Sequence, residues 1–255
     1  MENANYQLNF QKIGNNSAKR IVVIHGWGHS LETIKPLAQM LEDEAEIYLI
    51  DLPGHGKSPL PTATWGMADF ATKVADFIKE KKLQPVILIG HSVGGKTSLK
   101  LASLYPDLVE KIILINSSGL KRRRTLKENI RIYCIHKTGK ILKFFKKVIN
   151  LPYYETWFIK KFASADYKNA GVMKDTLVKI INEHLDEDIA KIATPALLLW
   201  SENDTETPIS SGERMASLLK NSQLVILRGV GHVPWLESSA ATCVYHIKNF
   251  ISGRS

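Results

Sequence analysis

The sequence predicts an α/β fold with a mostly parallel central sheet flanked by helices and with an inserted helical cap. Short apolar runs alternate with longer segments that carry apolar residues at helical spacing, a pattern typical of parallel sheets covered on both faces. Five of the six apolar runs are too apolar for a sheet with one wet face. The alternation breaks once, between about residues 119 and 188, where only amphipathic helical stretches occur.

The expected elements can be placed in order along the chain. A more polar run at 6–13 predicts an edge strand, and the apolar runs predict strands at 20–25, 45–50, 85–90, 111–116, 195–200 and 223–227. Helices are expected at 68–82, 93–104, 210–219 and 240–251. This predicts a core of residues 1–118 and 189–255, with a helical cap (lid) of residues 119–188 inserted between two strands.

Composition excludes several classes of protein. With 255 residues, 44% of them hydrophobic and 23% charged, the chain can bury a substantial core and is neither fibrous nor disordered. It has no secretion-type N-terminus and no run of apolar residues long enough to span a membrane. Cys134 and Cys243 lack metal-type spacing, which favours two reduced thiols over a single bridge. We therefore expect a cytoplasmic protein.

The positive charge is concentrated in one segment. Residues 121–147 contain eleven Lys or Arg and one Glu, whereas the rest of the chain holds 23 basic and 24 acidic residues. The segment could be a solvated helix face whose Lys and Arg stems cover apolar surface. It could also bind an anionic membrane surface or dock an acidic carrier protein. No nucleic-acid-binding module is recognised, so no nucleic acid partner is expected.

The stretch IGHSVGGKT at 89–97 fits two chemistries. Gly90-x-Ser92-x-Gly94 predicts a nucleophile elbow, a sharp strand-to-helix turn that exposes a serine. Gly90 to Thr97 also satisfies the glycine, lysine and threonine spacing of a phosphate-binding loop. Such a loop needs a strand-end carboxylate for magnesium, but the next strand ends in Asn116. A nucleotide hydrolase is therefore the remote alternative.

The partners that an elbow serine requires are present downstream in the expected order, first an acid and then a histidine. Asp204 follows the strand at 195–200, and His232 follows the strand at 223–227. Both lie beyond the carboxyl ends of predicted parallel strands, the edge where such sheets gather their catalytic residues. We predict Ser92, Asp204 and His232 as a catalytic triad.

The reaction also requires hydrogen-bond donors for an oxyanion. HGWG at 25–28 ends the first buried strand, and a backbone N–H presented there can pair with the N–H that follows the nucleophile. We predict the amides of Trp27 and Val93 as the oxyanion hole. The scheme requires no metal and no cofactor.

Taken together, these motifs resemble those of the α/β-hydrolase fold enzymes that carry a helical cap. The resemblance covers nearly the whole chain: HGWG, DLPGHGKS, GHSVGG, the cap, SENDTETP and GHVPWLE, in that order. The combination of HGWG and the elbow is also similar to carboxylesterases that cleave the methyl ester of pimeloyl-acyl carrier protein. The resemblance implies that DLPGHGKS is a structural turn, so Asp51 and His55 are not assigned catalytic roles.

The expected function is that of a serine hydrolase, carboxylesterase-like, which cleaves a carboxylic ester or a related acyl compound through an acyl-enzyme. An ester held on an acyl carrier protein or in a lipid is one alternative. A non-hydrolytic lyase on the same scaffold is another, because a fold does not fix a function.

Candidate substrate contacts come from two places. His29 and His91 adjoin the oxyanion loop and the nucleophile, and for His91 a structural or pocket-edge role is favoured over catalysis. Tyr133, Trp157 and Phe158 represent the aromatic residues of the cap, some of which are expected to line the cavity between cap and sheet. The apolar character of these side chains favours an acyl or aromatic group as the ligand.

Overall fold

A seven-stranded sheet forms the centre of the structure in the order β1-β3-β2-β4-β5-β6-β7. The computed structural model describes residues 6–15, 18–121, 126–149 and 154–253. β1 runs antiparallel to β3, and all other neighbouring pairs are parallel. The strands are β1 (Phe10–Gly14), β2 (Arg20–Ile24), β3 (Glu46–Ile50), β4 (Val86–His91), β5 (Val109–Ile115), β6 (Ala196–Ser201) and β7 (Ser222–Leu227).

The predicted mostly parallel sheet is confirmed, and the burial of its residues shows why. In β2, Ile21 and Val23 pack into one hydrophobic cluster and Val22 and Ile24 into a second cluster. All four side chains are fully buried. Because successive strand residues point to opposite faces, both faces of the sheet are covered.

Helices cover the sheet and fill the long connection between β5 and β6. They are α1 (Leu31–Gln39), α2 (Met67–Glu80), α3 (Val93–Leu104), α4 (Leu126–Ile149), α5 (Lys160–Phe162), α6 (Ala165–Asn169), α7 (Lys174–Asn182), α8 (Asp186–Lys191), α9 (Ile209–Leu218) and α10 (Ala240–Ser252). A π-helical turn, Tyr154–Ile159, leads directly into α5. Short 3₁₀ turns lie at Pro106–Leu108, Gly171–Met173 and Pro234–Leu236.

Two elements differ from the sequence-based expectation. The edge strand begins at Phe10 rather than at residue 6. Helix α1 was not predicted, and Pro36 lies inside it, where proline is ordinarily unfavourable. Its apolar residues Leu31, Ile34 and Leu37 are buried against the sheet, and this packing stabilises the helix.

The connection between β5 and β6 contains helices and no strand in its described part. Its first long helix, α4, packs against the π-helical turn Tyr154–Ile159. Its last part is anchored differently, since Leu177, Ile180 and Ile189 join the main hydrophobic cluster. The connection is therefore tied to the core through α7 and α8.

Two further expectations from the sequence concern reduced cysteines and the lack of a membrane-spanning segment. Cys134 on α4 is exposed and Cys243 on α10 is buried, and both are free. Burial raises the pKa of Cys243 to about 12, so this thiol is inert near neutral pH. Within the described residues, no helix is both long and apolar enough to cross a bilayer.

Candidate active site

Ser92 lies on the sharp turn between β4 and α3. Its backbone has φ +52° and ψ −115°, a strained conformation for a residue with a side chain. The neighbouring glycines make the turn feasible, because a Cβ at Gly94 would collide with the carbonyl oxygen of Ile24 and one at Gly90 with the backbone of Gly94. The local sequence thus allows helix α3 to approach the strands closely while the half-buried serine is presented at the carboxyl end of β4.

Asp204 and His232 meet at the same edge. Asp204 follows β6 and His232 follows β7, and the Asp204 Oδ2 atom lies 2.6 Å from His232 Nδ1. The Asp204 carboxylate also accepts hydrogen bonds from the backbone N–H groups of Glu206 and Thr207, at 2.8 and 2.9 Å, and from the Thr207 hydroxyl at 2.7 Å. Four donors therefore fix the carboxylate and aim it at the imidazole.

The environment favours an ionised acid beside a basic imidazole. Burial alone would raise the pKa of Asp204, but the hydrogen bonds from His232 and Thr207 outweigh it and hold the pKa below its usual value. Burial alone would lower the pKa of His232, but its hydrogen bond to Asp204 and the negative charges of Asp204, Glu206 and Asp166 raise it above the usual value. Such opposite shifts are typical of an orienting carboxylate and a general base.

A buried asparagine, whose role the sequence does not reveal, connects these loops. Asn116 is fully buried at the end of β5 with φ +44°. Its Oδ1 accepts from the Ser201 N–H at 2.8 Å, and its Nδ2 donates to the Ser201 hydroxyl at 2.8 Å and to the His232 carbonyl at 2.9 Å. Asn116 thus fixes the acid loop relative to the histidine loop. The one sequence feature that could have indicated this role is a polar residue at the end of an apolar strand.

Ser92 and His232 line one cavity of about 690 Å³, together with Trp27, His29 and Val93. The residues predicted as nucleophile, base and oxyanion donors are therefore brought together. Among the described residues no hydrogen bond joins Ser92 Oγ to His232. The Glu206 carboxylate lies 3.4 Å from His232 Nε2, which is longer than a good hydrogen bond.

Of the two histidines predicted to contact substrate, one lines the cavity and the other does not. His29 lines it, whereas His91 is buried and its Nε2 lies 2.9 Å from the His232 carbonyl oxygen. The His91 ring also packs edge-on against Trp235 at 4.7 Å. Burial lowers the pKa of His91 to about 3. His91 therefore supports the histidine loop as a neutral ring, and its place is structural.

The three aromatic residues that were predicted to contact substrate do not line the catalytic cavity. Tyr133 is exposed on α4, and Trp157 is half-exposed and packs on Phe162 at 5.7 Å. Phe158 is buried, but it lines a second cavity between α4 and the segment that follows. The structure thus places Tyr133 and Trp157 on the surface rather than against a substrate. The apolar residues Leu177, Ile180 and Ile181 of α7 line the catalytic cavity instead.

The phosphate-loop alternative is wrong, because its lysine and threonine have other partners. Lys96 is buried and donates to the carbonyl oxygens of Ile180 and Glu183 on the helical connection. Burial lowers the pKa of Lys96 to about 8. The Thr97 hydroxyl donates to the Val93 carbonyl oxygen at 2.9 Å. Lys96 therefore ties the elbow helix to α7, a role that the sequence did not reveal.

The DLPGHGKS segment forms a turn around Asp51. Its carboxylate accepts from the Leu31 N–H at 2.7 Å, the Lys57 N–H at 2.8 Å and the Asn9 side chain at 2.7 Å. The neighbouring His25 accepts from the Leu52 N–H at 3.0 Å. These contacts give Asp51 a structural task, as the resemblance implied.

Two family models match the chain. One, described as alpha/beta hydrolase fold, matches residues 19–132, and one described as TAP-like protein matches residues 177–252. The chain is similar to the crystal structure of a membrane phospholipase A described as a bacterial virulence factor, with a TM-score of 0.75 and 26% identity over 97% of this chain and 83% of that one. The chain therefore has the α/β-hydrolase fold, and the first family model and this structural neighbour both indicate an α/β-hydrolase enzyme.

Two sequence relatives agree with this assignment. A putative esterase/lipase of Haemophilus influenzae is 27% identical, covering 91% of this chain and 83% of the relative. The pimeloyl-[acyl-carrier protein] methyl ester esterase of Neisseria meningitidis is 26% identical, covering 93% of this chain and 94% of the relative. In this α/β hydrolase, Ser92, Asp204 and His232 all lie within the two matched regions. Most of α4, from residue 133 onward, lies between the two matched regions.

Proposed function

We propose that this α/β hydrolase cleaves carboxylic esters of apolar acyl groups through Ser92, His232 and Asp204. The observation that carries the proposal is the 2.6 Å contact between Asp204 and His232, made by a histidine that lines the same cavity as the elbow serine. No metal or cofactor takes part in the proposed steps.

In the first half-reaction, Ser92 Oγ attacks the ester carbonyl carbon and passes its proton to His232 Nε2. The resulting imidazolium is stabilised by the ionised Asp204. The oxyanion accepts the backbone N–H groups of Val93 and Trp27. Val93 is the first residue of α3, so its N–H has no acceptor within the helix and is free for this task.

His232 Nε2–H then protonates the departing alkoxide, which completes the first half-reaction and leaves an acyl group on Ser92. Hydrolysis of this acyl-enzyme is the second half-reaction. Water then gives its proton to His232 and attacks the acyl carbon. Collapse of the second tetrahedral intermediate releases the carboxylic acid and returns the proton to Ser92. Each turnover consumes one ester and one water and releases one carboxylic acid and one alcohol.

The cavities favour an apolar acyl group. Besides Leu177 and Ile180, the catalytic cavity is lined by Ile181 and Met215. The second cavity, of about 470 Å³, is lined by aromatic and aliphatic residues that include Phe158 and again Ile181. Ile181 thus borders both spaces, and a long acyl chain would pass beside it. Small-molecule esters and lipid esters both fit this description.

A fluorophosphonate probe tests the nucleophile directly. We expect the wild-type protein and Ser98→Ala to be labelled and Ser92→Ala to remain unlabelled. Ser98 is a matched control, since it lies on the same helix and its buried hydroxyl only donates to the Gly94 carbonyl oxygen. Equal labelling of Ser92→Ala would contradict the assignment.

A panel of p-nitrophenyl esters of graded chain length tests the reaction. Turnover that increases with acyl length and disappears in Ser92→Ala supports an acyl esterase. Labelling by the probe without turnover of any ester would favour a lyase on this scaffold, in which the same trio abstracts a proton.

A carrier-bound ester is the second candidate. It is favoured by the 26% identity to the pimeloyl-[acyl-carrier protein] methyl ester esterase over almost the full length of both proteins. The net charge of +10 in residues 121–147 would attract an acidic carrier. Salt-sensitive turnover of a carrier-bound ester, without turnover of the same ester free in solution, would support this candidate.

We also propose that the enzyme works in the cytoplasm. Its two free thiols suit a reducing compartment. Fractionation of the source cells, with an antibody against this chain, would test the location.

A further inference from the structure

Helix α4 has an inward apolar face that holds it to the rest of the protein. Taking roughly 100° of rotation per residue, Ile132, Ile135, Gly139 and Leu142 fall on one side, and each is buried or half-buried. Gly139 permits close packing here, since a Cβ would lie 2.8 Å from two ring carbons of Phe158. This face accounts for the attachment of α4.

The opposite side of α4 carries a second apolar stripe that faces solvent. Its members are large side chains with exposed fractions between 53% and 76%. They are Leu126, Ile130, Tyr133, Ile141 and Phe144. On the same helical rotation they fall within an arc of roughly 80°, and they extend over about 27 Å of helix. We call this set the outer stripe.

Basic residues lie on both sides of the outer stripe, and one of them, Lys137, lies within its arc. Lys127, Arg131, Lys137, Lys140 and Lys143 are all exposed. The sequence of α4 contains seven Lys or Arg and one Glu, a balance of +6. Isolated exposed apolar residues are ordinary on protein surfaces, but an aligned row flanked by basic side chains marks an interaction surface.

We propose that the outer stripe binds the surface of an anionic lipid membrane. The apolar side chains would enter the boundary between headgroups and acyl chains, while the lysines and Arg131 pair with lipid phosphates. A membrane accepts a straight row of this length along its whole extent, since the lipid surface is flat and deformable. The proposal goes beyond the esterase activity and does not depend on the triad.

The same features disfavour other occupants. A second copy of this chain would place two helices of balance +6 against each other, and such repulsion opposes association. An acidic protein would satisfy the lysines, but it would also need an apolar groove about 27 Å long to cover the outer stripe. A lipid layer supplies both the negative charge and the apolar medium.

Sedimentation with vesicles tests the proposal. The full-length protein is mixed with phosphatidylcholine vesicles that contain or lack phosphatidylglycerol. We expect binding to the anionic vesicles only, weakened by added salt. The double variant Ile141→Asp, Phe144→Asp should bind about 100-fold more weakly, because two large apolar side chains no longer enter the lipid.

Matched controls separate this outcome from misfolding and from failure of the esterase proposal. Val172→Asp introduces the same charge at an apolar side chain that is 81% exposed but lies outside α4, and it should bind vesicles like the wild type. Ser92→Ala should also bind normally. Fluorophosphonate labelling of the double variant shows that it is folded. If the wild type and all variants remain unlabelled, a wild-type-like unfolding transition in urea shows this instead.

Four results would overturn the proposal. One is the absence of binding to anionic vesicles, and another is equal binding by the double variant and the wild type. The third is a concentration-dependent dimer in solution that the double variant abolishes, which would assign the outer stripe to a second copy. Saturable binding of an acidic carrier protein, lost in the double variant while vesicle binding persists, would also overturn it.

Discussion

Replacing Asp204 by Asn tests the proposed mechanism most sharply. Asparagine has nearly the same shape, so its Oδ1 can still accept the N–H groups of Glu206 and Thr207, which lie 2.8 and 2.9 Å from the carboxylate. Its NH₂ group, however, would face His232 Nδ1 and donate to it. The imidazole would then carry its proton on Nε2, where it cannot accept the proton of Ser92.

The size of the effect follows from the bond that is changed. The 2.6 Å contact between Asp204 and His232 is a short, charge-assisted hydrogen bond. Where an aspartate in a triad of this kind is replaced by asparagine, turnover falls by about 10⁴, which corresponds to about 5 kcal/mol of transition-state stabilisation. We expect a loss of this order in kcat, with little change in stability.

The pH profile gives an independent check. Catalysis needs neutral His232, so kcat/KM should increase with pH through the pKa of this histidine. Asp204 is a main cause of the raised pKa, and Asp204→Asn should therefore move the acidic limb of the residual activity to lower pH. A limb that remains in place would show that the carboxylate does not act on His232.

Glu206→Gln is the matched control. Glu206 also places a carboxylate near the ring, 3.4 Å from Nε2, but its side chain is 65% exposed. We expect this variant to retain turnover within a few-fold of the wild type, because an exposed charge is screened by solvent. If Glu206→Gln lost activity while Asp204→Asn kept it, the acid would be Glu206 and the reasoning would be refuted.

Three further predictions concern the scaffold. Gly94→Ala should destabilise the fold and abolish fluorophosphonate labelling, because the added Cβ collides with the Ile24 carbonyl oxygen; a normal melting temperature with full labelling would contradict the packing argument. Lys96→Met should lower the free energy of unfolding, measured in urea, by about 2 kcal/mol, since the carbonyl groups of Ile180 and Glu183 lose their donor. The control Lys100→Met breaks a partly exposed ion pair with Asp188 and should lower it by less than about 1 kcal/mol. The free energy of unfolding should fall as the pH is lowered below 6.5, because folded His91 stays neutral to about pH 3 while His91 in the unfolded chain takes up a proton near pH 6.5. Between pH 6.5 and 5 this loss amounts to about 2 kcal/mol. His91→Gln should lose that part of the pH dependence.

Much of the fold could be predicted because its signals are local. Runs such as RIVVIH and PVILIG can be buried on both faces only in a covered parallel sheet, and the observed pairing of β2 and β4 confirms this. The elbow is also local, since Gly90, Ser92 and Gly94 lie within five residues. Helix α1 was missed because its stability comes from contacts with distant residues, which outweigh the cost of Pro36.

The candidate triad could be proposed from chain order and strand ends alone, but its supporting residues could not. Asn116 and Lys96 act through partners 85 and 84 residues away, and nothing in their immediate sequence shows these contacts. The surface positions of Tyr133 and Trp157 could not be predicted for a similar reason. Periodicity shows that Tyr133 belongs to a helix, but not which side of that helix faces the cavity.

The sequence by itself determined the order of the strands, the position of the serine turn and the concentration of positive charge, because each depends on neighbouring residues. The tertiary structure decided which side chains meet: the Asp204 carboxylate with the His232 ring, Lys96 with the carbonyl groups of α7, and the apolar row on the outside of α4. These depend on how distant segments pack, and packing is set by the shapes and contacts of the whole core rather than by any one stretch of the chain.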